Sequence, residues 1–73
     1  MTMLQIKKKW ENLQNKMMSS RGLEDPITIM FCRILEEHIT HCNDFGKIPY
    51  TSEWDEFVDT LYKTCINYEM PEI

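Results

Sequence analysis

Three residues within five positions, His38, His41 and Cys42, are the side chains whose types could do covalent or metal chemistry. At i and i+4, His38 and Cys42 share one face of a helix, where they could meet a zinc ion if Cys32 or Cys65 completed a tetrahedron. The same pair could act as thiol nucleophile and base. A plainer reading outweighs both. Lone cysteines on apolar stripes behave as small hydrophobes, His38 falls on such a stripe, and His41 points off it. Nothing resembles a nucleophile elbow, a glycine-rich phosphate loop or an EF-hand. The expectation is a chain that is not an enzyme, with no catalytic, cofactor-binding or metal-binding residue.

Charge offers a different kind of chemistry. The net charge of −4 is unevenly spread: residues 1–21 carry five basic side chains against one acidic, and residues 22–73 carry three against eleven. The acidic set Glu36, Glu37, Glu53, Asp55, Glu56 and Asp59 would form a face able to imitate phosphates and cover a basic nucleic-acid-binding surface on a protein partner. Glu53, Asp55 and Glu56 also suit the first turn of a helix, where the dipole favours anions. The basic set Lys7, Lys8, Lys9, Lys16 and Arg21 supports a second reading, a small dimeric DNA-binding regulator. Because three adjacent lysines wrap around a helix and no second basic helix follows, nucleic-acid binding is the weaker expectation.

The elements that must carry these residues are helices. Thr2 and Gln5 make a capping-box pattern, after which Met3, Ile6, Trp10, Leu13 and Met17 recur at helical spacing. Gly22 is the expected left-handed C-terminal residue, with Leu23 folding back on Met18, so the first helix spans about 3–20. Asp25-Pro26 is a restart signal. Ile27, Phe31, Ile34, His38 and Cys42, widened by Met30, Leu35 and Ile39, give a second helix over about 26–43, with Phe45 as a cover over the core. Residues 47–50 read as an extended connector. Thr51 or Ser52 then caps a third helix over about 52–69, whose stripe is Trp54, Val58, Leu61, Cys65 and Tyr68 and which Pro71 stops. Trp10, Phe31, Trp54 and Phe57 are the predicted buried aromatics.

The fold expected is therefore all-α, one domain over 1–73, as a small three-helix bundle or a helical hairpin plus a third helix. A chain of 73 residues buries only about 60% of its unfolded surface, so added support, such as a homodimer, is expected. Three cysteines without a CxxC pair or a secretory leader place the protein in the cytoplasm, and no stretch is apolar enough for a membrane span. Leu4, Met18, Phe45, Ile48, Tyr50, Tyr62 and Ile66 lie off the main stripes, and Phe45, Tyr50 and Tyr62 are the predicted apolar contacts to a partner. In size, acidity, richness in Lys, Ile, Asn and Met, and lack of a catalytic signature, the chain resembles the small proteins that bacteriophages encode to disable host machinery, including inhibitors of the sliding clamp, RNA polymerase and defence nucleases. That resemblance is one of type. It implies a non-enzymatic inhibitor in the host cytoplasm and supplies no site residue.

Overall fold

A computed structural model describes residues 1–69, which form helices α1 (Met3–Arg21), α2 (Pro26–Asp44) and α3 (Ser52–Ile66). The predicted all-α class and three-helix arrangement are what the chain adopts, with no strand among the described residues. Each start is set by the expected cap. Thr2 Oγ1 accepts from Gln5 N at 3.2 Å while Gln5 Oε1 accepts from Thr2 N at 2.8 Å. Asp25 Oδ1 accepts from Ile27 N at 2.8 Å ahead of Pro26, and Thr51 Oγ1 accepts from Trp54 N at 3.3 Å. Such caps contribute about 1 kcal/mol each.

The helix ends depart from expectation. Gly22 has φ 94° and ψ 153°, a conformation reserved for glycine but not left-handed helical. It turns Leu23 outward, 69% exposed, instead of back onto Met18. The fold-back expected there occurs at the end of α2. Gly46 takes φ 65°, Lys47 N donates to Cys42 O at 2.7 Å, and Gly46 N donates to Asn43 O at 3.2 Å, the paired bonds of a Schellman motif. Phe45 within it is 67% exposed and covers nothing. α3 ends at Ile66, three residues before the expected 69, and Pro71 lies outside the described residues. Tyr68 N donates to Cys65 O at 3.2 Å across the end, and beyond it Arg21 Nη1 of α1 donates to Ile66 O at 3.4 Å and to Tyr68 O at 2.7 Å, satisfying carbonyls that have no intrahelical partner.

The core is one cluster: Ile6, Trp10, Leu13 and Met17 from α1, Ile27, Phe31 and Leu35 from α2, Val58 and Cys65 from α3. Residues near the start of α1 meet the start of α3 (Lys9 with Asp55), and its end meets the end of α3 (Arg21 with Tyr68). Those two helices therefore run in the same direction, with α2 antiparallel to both. Of the predicted buried aromatics, Trp10 and Phe31 are buried, Trp54 is half-buried, and Phe57 is 47% exposed. α3 seats along Asp55, Val58 and Cys65, which leaves position 57 about 100° off that line. Met3 and Met30 are exposed for similar reasons at the edges of their stripes, and Tyr68 is exposed beyond the end of α3. Among the described residues no helix is long and apolar enough to cross a membrane.

Candidate functional site

The six carboxylates expected on one face are divided among three environments. Asp55 and Asp59 turn inward to α1. Asp55 is 8% exposed, and its Oδ1 accepts from Trp10 Nε1 at 3.1 Å while Oδ2 accepts from Lys9 Nζ at 3.1 Å. Lys9 Nζ also donates to Asp59 Oδ2 at 2.8 Å. Asp55 is thus matched to a buried indole and an ammonium inside the fold, and Asp59, whose side chain is 39% exposed, pairs with the same ammonium. Glu36 is exposed on the α1 side of α2, beside Gln14. Glu37 is about 100° further round the same helix, where it borders a shallow outer groove with Arg33, Glu36 and His41, and Glu53 and Glu56 are exposed at the start of α3.

The basic set is divided as well. Lys9 is held by α3, and Arg21 staples the ends of α1 and α3. Arg21 Nε lies 3.3 Å from Asp25 Oδ2, an ion pair too poorly aligned to be a hydrogen bond. Lys7, Lys8 and Lys16 remain exposed. The hydrogen bond to Asp59, together with that to Asp55 and the two negative charges, outweighs partial burial and holds the Lys9 pKa above its ordinary 10.5. A raised folded pKa means that this stabilisation is complete below the ordinary value and is lost as pH climbs through the folded one. Thermal midpoints measured from about pH 9 to about pH 12 should therefore fall more steeply for the native chain than for Lys9→Met. Parallel curves would show that the contact contributes nothing.

The predicted apolar contacts also separate. Phe45 is exposed, with His41 at a ring separation of 4.8 Å. Tyr50 and Tyr62 are half-buried against the core, Tyr50 edge-on to Trp10 at 5.2 Å and Tyr62 edge-on to Phe31 at 6.1 Å. Both are packing residues at the core rim. A different set is exposed on the α2·α3 side. His38 stacks on Trp54 at 3.6 Å and Trp54 meets Phe57 edge-on at 5.1 Å, which fixes that side. Beside it are exposed His41 of α2, with Phe45 of the turn packed on it, and half-buried Trp54 with exposed Phe57 of α3; exposed Met30 lies toward the other end of α2. Glu53 is one turn from Phe57, and Glu37 is one turn from His41.

His38 and Cys42 do approach, Sγ to Nδ1 at 3.7 Å. The Pro49 carbonyl accepts from His38 Nε2 at 2.8 Å, which leaves Nδ1 as the acceptor facing the thiol. The ring lies between Trp10 and Trp54, and neither His38 nor Cys42 lines the grooves on the surface of the bundle. This arrangement ties the connector before α3 to α2. Among the described residues no three of the His, Cys, Asp and Glu side chains come together as a metal site. Burial raises the Cys32 thiol pKa, aided by Glu36, and raises that of Cys65 against the opposing pull of Arg21, as expected of thiols acting as small hydrophobes.

Sequence reasoning missed two polar groups. Asp55 lies three residues before Val58, in line with the stripe, and a buried indole N–H needs an acceptor. Those facts together could have paired it with Trp10. Thr28 is 2% exposed with no partner for its hydroxyl, and nothing in its sequence context signals this. Compared with known protein families, with curated proteins and with solved structures, the chain matches none.

Proposed function

We propose that this protein is a non-enzymatic binding protein that inhibits or regulates a nucleic-acid-processing protein, in the manner of small bacteriophage inhibitors in a host cytoplasm. It covers a basic surface of its target with the α2·α3 side. The observation that carries the reading is the exposure of Phe45 and Phe57, with Glu53 one turn from Phe57 on α3 and Glu37 one turn from His41, whose ring packs on Phe45. Exposed aromatic side chains supply contact area, and carboxylates beside them select a cationic partner and speed encounter. Glu56 extends the acidic edge, whereas Asp55 and Asp59 belong to the fold. Self-association of the chain is part of the same proposal.

The test is capture from a nuclease-treated bacterial lysate, followed by competition with duplex DNA. The native chain should retain one replication, transcription or defence protein, DNA should displace it, and the triple variant Glu37→Lys, Glu53→Lys, Glu56→Lys should lose it with helicity unchanged. Retention indifferent to these reversals, or recovery of nucleic acid with only nuclease-sensitive proteins, would sink the reading.

A further inference from the structure

A groove of about 350 Å³ runs between the second half of α1 and the first half of α2. Its apolar lining is Met18, Leu23, Ile29 and Cys32, and Thr28 contributes a buried hydroxyl without a partner. Arg33 and Glu36 border it. Neither forms an ion pair among the described residues, where the ion pairs belong to Lys9 and Arg21. Leu23, lifted out by the Gly22 turn, stands at the lip of the groove.

We infer that this groove is the contact surface for a second copy of the chain, related by a two-fold axis, with Leu23 of each copy seated in the groove of the other. The argument is self-complementarity. A two-fold interface presents the same patch twice, so every feature must be matched by another on the same patch. Here the apolar hollow is accompanied by a projecting apolar side chain. The free cation on the rim is accompanied by a free anion one helical turn away on α2, so that Arg33 of each copy can face Glu36 of the other. A foreign basic target would leave Arg33 opposed by like charge. A second copy would not. The inference makes specific the self-association included in the proposed function; Arg33 lies one turn from Glu37 on α2, while Glu53 and Glu56 lie on another helix.

Sedimentation equilibrium over a concentration series, with circular dichroism as the folding control, tests it. The native chain should dimerise. Arg33→Glu alone and Glu36→Arg alone should each weaken the dimer by about tenfold or more, since both symmetric contacts become repulsive. Mixing the two variants should restore association as a heterodimer, because each then meets opposite charge. Leu23→Asp should give a folded monomer. A native chain that stays monomeric, or a dimer insensitive to both the reversals and Leu23→Asp, overturns the inference. Because this readout needs no target, a monomer that still captures a basic protein through Glu37, Glu53 and Glu56 would leave the binding reading standing while this one fails. Loss of capture by Leu23→Asp in such a monomer would assign the groove to the target instead.

Discussion

Trp10→Ala is expected to leave little folded protein at room temperature. Trp10 is 2% exposed, is touched edge-on by Tyr50 and obliquely by His38, and is the residue through which α1 meets both other helices. Truncating a buried tryptophan costs about 3–5 kcal/mol, and a domain of this length has a total stability of about 4–11 kcal/mol. The same truncation takes the indole donor from Asp55, so the polar loss adds to the cavity. Urea denaturation followed by circular dichroism checks the expectation, with Trp10→Phe as the informative control. Phenylalanine loses the N–H and part of the ring volume but keeps an aromatic side chain in the core, so its cost should fall between the native chain and alanine. If Trp10→Ala unfolds at the same urea concentration as the native chain, the described core is wrong.

The second large effect is expected at Asp55. Asp55→Ala leaves the Trp10 N–H buried without an acceptor and removes one of the two carboxylates that hold Lys9, a combined loss of about 2–3 kcal/mol. Asp55→Asn preserves an acceptor at Oδ1 for the indole and leaves Lys9 with Asp59, and should cost about 1 kcal/mol. Glu53→Ala, two residues earlier but exposed, should change stability by a few tenths of a kcal/mol at most. The ranking Ala well below Asn, with Glu53→Ala near the native value, separates a buried acceptor from an ordinary dipole partner. Equal small effects at positions 53 and 55 would return Asp55 to the exposed acidic set.

The architecture was legible because local signals agreed. The Thr2–Gln5 box, Asp25-Pro26 and Thr51 each act within four residues, and the stripes of α1 and α2 obey the helical period closely enough to name Trp10, Phe31 and Leu35 as inward-facing. What escaped was decided by neighbours distant in sequence. Periodicity places Asp55 near the core side of α3 but says nothing of the Trp10 N–H or Lys9 that meet it. It equally cannot tell that Arg21 would reach across to the carbonyls at the end of α3, or that Phe57 and Tyr50 would exchange their expected places, one exposed and one packed. For the candidate site, residue type alone was legible. Which carboxylates remain free depended on pairings between α1 and α3 that no single helix encodes.

Those pairings have a kinetic consequence. They join residues 45 to 50 positions apart, whereas the turns flanking α2 are closed by backbone bonds spanning at most five positions. Loop closure costs more entropy as the separation grows, so the two hairpins can form locally while the seam between first and third helices waits for both. Bonds made after the rate-limiting step slow unfolding without speeding folding. Lys9, Asp55 and Arg21 thus act as a latch: they set how long the assembled bundle lasts, while the apolar stripes set how fast it assembles, and the loss in Asp55→Ala should appear in the unfolding rate alone.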